Sequence, residues 1–86
     1  MKYFYVYILY SESLDQYYIG FSENPENRIK QHNSLLNQGW TKRGQPWILV
    51  KKLEFQTKAE ALKTEKFIKK QKSKIFIKKI IEKGWE

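Results

Sequence analysis

The chain has 86 residues, a net charge of +8 at pH 7, 41% hydrophobic and 30% charged residues, and no cysteine. That length holds one hydrophobic core, burying about 60–65% of the extended surface, so a single domain over residues 1–86 is expected. The missing thiols exclude a disulfide scaffold or thiolate zinc site, and with His32 the only histidine a histidine-rich metal site is excluded too, so any metal should be a hard, oxygen-bound ion. No apolar run approaches the roughly 20 residues that span a bilayer, and the N-terminus has no signal-peptide cleavage site, so a cytoplasmic location is expected. The positive charge suggests a nucleic acid as partner, although a merely soluble basic protein carries charge as well.

Residues 3–10 read as a strand with both faces apolar or aromatic, hence a central one. A polar turn over 11–16 leads to a return strand over 17–21, in which Gly20 signals a bulge or a close backbone approach. Asn24 and Pro25 are suited to the cap and first position of a helix that should run to about Asn37, with Gly39 as its stop. Residues 40–46 read as a basic loop and 47–55 as a third strand. Thr57-Lys58-Ala59-Glu60 forms a capping box for a helix reaching about Lys72. Ser73 caps a last helix anchored by Ile75, Phe76, Ile80 and Ile81, with Gly84 past its end. The order ββαβαα makes an α+β fold: a small three-stranded antiparallel sheet flanked by helices.

The informative residues are polar ones inside apolar arcs. At helical pitch Arg28 and His32 fall about 40° apart, on the side of Ile29, Leu35 and Leu36. Glu65 falls within the arc of Ala61, Leu62 and Ile68, where a carboxylate is costly unless paired or bound to a cation. Each has an ordinary explanation: Arg28 can snorkel, His32 can be a boundary histidine, and Glu65 can pair with Lys69 one turn on. Tyr7 and Tyr18 belong to a hairpin region holding all six tyrosines. A phenol can exchange a proton, but its ordinary pKa near 10 makes it a poor base without a nearby cation.

These five residues in this order carry a resemblance. Tyr5-Val6-Tyr7 followed by Tyr18-Ile19-Gly20, with Arg28 eight residues after Gly20, His32 four further on and Glu65 on a later helix, resembles the signature of the GIY-YIG nuclease superfamily. The resemblance covers nearly the whole chain and is closest to the short stand-alone bacterial branch, described as YhbQ-like and similar to the N-terminal domain of the excision-repair excinuclease. The stretches Thr41-Lys42-Arg43-Gly44 with Pro46-Trp47, and Glu65 to Ser73, are similar to that branch as well. Tyr5 and Val6 stand in place of Gly and Ile. Phe21 stands where excision-repair relatives carry a lysine, and no asparagine follows Asn37 where homing-type relatives have one after the glutamate.

The resemblance implies a metal-dependent endonuclease acting on DNA phosphodiesters, with a role in repair or recombination. In that reading Glu65 holds one Mg²⁺ or Mn²⁺, Tyr7 or Tyr18 accepts the proton of the attacking water, Arg28 clamps the phosphate, His32 orients a tyrosine or relays its proton, and Gly20 lets the backbone pass close by. Residues 66–83 carry eight lysines against the single acid Glu82. Lys66, Lys69, Lys70, Lys72 and Lys74, together with Lys42 and Arg43 of the loop, are the candidate nucleic-acid contacts. A basic helix can also lie on an anionic membrane, but that would leave the polar constellation unexplained, so no membrane partner is expected. RNA is not excluded as substrate. With no room for a specificity domain, selectivity should be weak, shape-based, or conferred by a protein partner. The competing reading is a module that grips nucleic acid without cutting it.

Overall fold

The computed structural model describes residues 2–37 and 39–85; the ends of the expected domain, Met1 and Glu86, lie outside them. The elements are β1 (Phe4–Ser11), β2 (Gln16–Ser22), α1 (Pro25–His32), a 3-10 turn (Trp40–Gly44), β3 (Trp47–Phe55), α2 (Lys58–Gln71) and α3 (Lys74–Lys83). The sheet order is β2-β1-β3 and both pairings are antiparallel. The apolar character of both faces of β1 predicts this central place: Val6, Tyr7, Ile8 and Leu9 are all fully buried.

Alternation along β1 divides the core in two. Val6 and Ile8 join Ile19, Leu53, Ala61, Ile68, Ile77 and Ile80, the side covered by α2 and α3. Tyr7 and Leu9 join Trp47 on the other side, with Tyr18 and Ile29 packed against them. Among the described residues no helix is long and apolar enough to cross a membrane.

Local chemistry explains the boundaries. Asn24 caps α1 by accepting from the Asn27 N–H, Thr57 caps α2 through Glu60, and Ser73 caps α3 through Phe76. Thr57 also donates to the Glu60 carboxylate at 2.9 Å. The β1–β2 ladder is continuous through the Tyr7–Gly20 pair, so Gly20 marks a close approach and no bulge. The irregularity lies on the other pairing, where Ile8 faces Lys51 and Leu9 faces Leu49, leaving Val50 as the extra residue.

Three expectations are corrected. First, α1 ends at His32 rather than near Asn37, and Leu35 and Leu36 are 87% and 86% exposed instead of lying on its apolar side. In a longer helix the His32 carbonyl would accept from the Leu36 N–H. Here that carbonyl accepts from the Asn37 and Gln45 side-chain amides at 2.9 and 2.7 Å, and the Leu36 N–H goes to the Ser34 hydroxyl at 3.0 Å. Side chains have outcompeted the helix for its own backbone groups. Second, Gly39 does not stop α1; it caps the 3-10 turn that occupies most of the expected loop. Third, Ile75 is 71% exposed and anchors nothing, while Phe76, Ile80 and Ile81 do pack on the core.

Candidate active site

The site grows from the Tyr7–Gly20 pair. A methyl group built on Gly20 would lie 2.3 Å from both Cζ and the hydroxyl oxygen of Tyr7, so the phenol lies directly over the bare backbone of β2. Only glycine leaves room for it. The Tyr18 ring stacks beside that of Tyr7 with centroids 6.2 Å apart. His32, at the last turn of α1, stands edge-on to both rings, 4.5 Å from Tyr18 and 6.3 Å from Tyr7. Its Nε2 lies 3.4 Å from the Tyr7 hydroxyl, the long end of hydrogen bonding.

Arg28, one turn before His32, is exposed and donates to the Gln31 side chain at 3.2 Å. Arg28, Gln31, His32, Asn37 and Thr41 line a recess of about 180 Å³. Glu65 of α2 is largely buried, its side chain 15% exposed, and pairs with Lys69 at 3.1 Å. The ordinary i,i+4 partner of this carboxylate is therefore present. Its negative charge is the smallest of the influences that raise the Tyr7 pKa.

The protonation states follow from these surroundings. Burial pushes the Tyr7 phenol above its ordinary value, and neighbouring Tyr18 adds to the rise; the Arg28 guanidinium opposes it, and the Glu65 charge reinforces it. Tyr7 therefore keeps its proton at neutral pH until further positive charge arrives. Burial, and secondarily the Arg28 charge, hold the His32 imidazole below its ordinary 6.5. At pH 7 His32 is neutral, with one ring nitrogen free to accept. A depressed folded-state pKa means that the unfolded chain binds the proton more readily, so stability present above pH 6.5 is lost as pH falls through the folded value. As His32 is the sole histidine, its NMR titration needs no assignment by mutagenesis. Its midpoint should lie below 6.5; a midpoint above that would contradict the partly buried, Arg28-facing position.

A polar lock not expected from the sequence supports this cluster. Asn33 brackets the backbone of Trp47, donating to its carbonyl at 3.0 Å and accepting from its N–H at 2.6 Å. Asn37 donates to the Thr41 hydroxyl at 2.8 Å, and the Trp47 indole donates to the Thr41 carbonyl at 2.6 Å. Trp47 in turn packs over Gly44, where a Cβ would meet its ring at 2.4 Å. The lock ties the end of α1, and hence His32, to β3. Asparagine and glutamine around a helix end look like ordinary turn residues, so no sequence signal singles them out.

The expected nucleic-acid contacts divide into groups. Lys69, Lys72 and Lys74 line a cleft of about 540 Å³ together with Tyr18 and Trp40. Lys66 and Lys70 of α2 and Lys42 and Arg43 of the 3-10 turn are exposed and do not line it.

Among the described residues, no three acidic, histidine or cysteine side chains gather into a protein-made metal cage. The donor chemistry is that of Glu65, one of whose oxygens accepts from Lys69. A single carboxylate suits Mg²⁺ or Mn²⁺, which keep several waters and are completed by substrate phosphate.

Two phenols and an imidazole thus meet beside the exposed Arg28 guanidinium, and the Glu65 carboxylate on α2 is held by Lys69. Residues 3–80 match the family described as the GIY-YIG catalytic domain, and the chain belongs to that family. It falls in the short stand-alone bacterial branch. A UPF0213 protein of Enterococcus faecalis is 34% identical over 70 residues, 79% of this chain and 76% of that protein. The solution structure of a UPF0213 protein from Bacillus halodurans matches with a TM-score of 0.59 and 28% identity, covering 95% of this chain and 86% of that one. A structure-specific endonuclease subunit SLX1 homolog of Drosophila melanogaster is 44% identical over 53 residues, 52% of this chain and 18% of that protein. The SLX1 homolog of Giardia intestinalis is 47% identical over 58 residues, 64% of this chain and 16% of that protein. The chain thus spans less than a fifth of these SLX1 relatives.

Proposed function

We propose that this protein is a metal-dependent endonuclease that hydrolyses phosphodiester bonds in DNA, selecting its substrate by shape. The observation that carries the reading is the cluster at Tyr7: Tyr18 stacks beside its ring, and His32, one turn after Arg28, brings Nε2 to 3.4 Å from its hydroxyl. A divalent ion held by Glu65 would supply charge neutralisation at a non-bridging phosphate oxygen and acidify the attacking water.

The chain's own residues would do the rest. Arg28, exposed and hydrogen-bonded to Gln31, offers its fork to the phosphate. One of the two phenols takes the proton of the attacking water. Tyr7 needs positive charge beside it to do so, because burial holds its proton on. Neutral His32, whose Nε2 lies 3.4 Å from the Tyr7 hydroxyl, would accept its proton or orient it. Kinship with SLX1 homologs, whose name is that of structure-specific endonuclease subunits, supports selection by nucleic-acid structure and a partner protein for this chain.

Incubation with branched, nicked and plain duplex DNA, with Mn²⁺ or with chelator, tests the proposal: metal-dependent cutting of at least one substrate is expected. The Glu65–Lys69 ion pair favours a second reading, a module that grips DNA without cutting it. Binding with no cutting in Mn²⁺ would establish that alternative. In either case binding should weaken steeply with salt, because lysines displace counterions from the backbone. About six phosphate contacts would cost on the order of 10³-fold in affinity between roughly 50 and 200 mM salt. A flat response would exclude the basic surface as the binding face.

A further inference from the structure

The cleft beside the site has a composition that phosphodiester hydrolysis alone does not require. It lies between β2 and the α2–α3 junction, floored by Ile68 and Ile77 and bordered by Tyr18, Trp40, Lys72 and Lys74. Its volume of about 540 Å³ is within the roughly 300–1,000 Å³ usual for small-molecule and cofactor sites. Trp40 stands edge-on to Trp47 at 6.0 Å and tilted against Tyr18 at 6.0 Å, yet remains 56% exposed. Tyr18 belongs to both places, since its ring also lies 4.5 Å from His32.

We propose that this cleft holds one unpaired nucleobase of a DNA strand, stacked on the exposed ring of Trp40 with Tyr18 at its edge, while Lys72 holds a flanking phosphate. The inference rests on the nuclease reading and adds the substrate class to it: DNA with a single-stranded segment beside the point of cleavage.

An aromatic rim over an apolar floor matches the flat face of a base, and cations around it match the phosphates on either side. A base inside a duplex cannot present that face. An acidic peptide would satisfy the lysines but leave the rings unused. The three lysines differ in availability. Lys69 pairs with Glu65 and Lys74 with Asp15, whereas Lys72 has no ion pair among the described residues. Lys72 also caps α2 in the left-handed conformation, at φ 48°, where glycine is the favoured residue. A lysine in this glycine-favouring conformation, at the border of the cleft, directs an unpaired charge there.

The test compares three labelled hairpin DNAs by fluorescence polarisation in chelator at fixed low salt. One carries a short single-stranded flap, one the same flap built of abasic residues, and one no flap. The first two have equal backbone charge, so they differ only in bases. The protein should bind the base-bearing flap about ten-fold more tightly than the abasic one. Trp40→Ala should erase that difference and leave abasic binding unchanged, and Trp40→Phe should keep most of it. Lys72→Gly should weaken both flaps equally while melting no lower than the parent, since glycine suits the left-handed cap.

Equal binding of the two flaps by the parent protein would overturn the inference, as would equal weakening of both by Trp40→Ala. If the parent shows no base preference yet cuts DNA in Mn²⁺, the base pocket falls and the nuclease stands. If it binds none of the three and cuts nothing, both fall together.

Discussion

Replacing Glu65 with glutamine is expected to reduce Mn²⁺-dependent DNA cleavage on the order of 10³-fold, with fold and DNA binding retained. Glutamine keeps the size of the side chain, and its carbonyl can still accept from Lys69, now 3.1 Å from the carboxylate. What disappears is the negative charge that would hold a divalent ion. The ion pair itself contributes little to stability. An i,i+4 pair with an exposed lysine is worth about 0.3–0.5 kcal/mol, against several kcal/mol for a domain of this size. Thermal melting by circular dichroism and polarisation binding in chelator should therefore match the parent, while nicking assays differ. Undiminished metal-dependent cutting by Glu65→Gln would remove Glu65 from the chemistry.

Gly20→Ala should damage both the fold and the site severely. Its methyl would sit 2.3 Å from the Tyr7 ring, well inside van der Waals contact. Tyr7 is fully buried and has Tyr18 and His32 against it, so the ring cannot retreat without moving both. Overpacking of this kind costs about 1–3 kcal/mol. Each kcal/mol lowers the melting temperature of so small a domain by roughly 4–8 °C. Cleavage should fall by more than the folded fraction does, because the displaced groups are the ones proposed to act. In a Tyr7→Leu background the same alanine should cost much less, since the atoms it meets are gone, and a double-mutant cycle would read that coupling directly. Additive losses would mean that Gly20 and Tyr7 are not in the contact described.

Tyr7 and Gly20 also show how much of the architecture is legible in the sequence. A polar turn between two short strands makes residues 3–21 enough to anticipate the β1–β2 hairpin, but with both faces of β1 apolar, alternation does not fix its register. Glycine at position 20 signals only a close approach of some kind. That the approaching group is the Tyr7 phenol depends on a ring rotamer, which one-dimensional pattern does not encode. Helical pitch places Arg28 and His32 on one helix, as the structure does, yet the same periodicity carries that helix through Leu35 and Leu36, which are exposed. Helical pitch has no knowledge of Gln45, whose amide arrives from 13 residues away to take the His32 carbonyl.

The sequence by itself determined the element order, the central place of β1 and the caps at Asn24, Thr57 and Ser73. These depend on interactions between residues a few positions apart, or on how many faces of a strand are apolar. The tertiary structure alone decided where α1 stops, that a 3-10 turn replaces a loop, and that Trp40 and Lys72 border one cleft with Tyr18. Those outcomes turn on side-chain amides and rings meeting across long stretches of chain, and such meetings are set by packing in three dimensions.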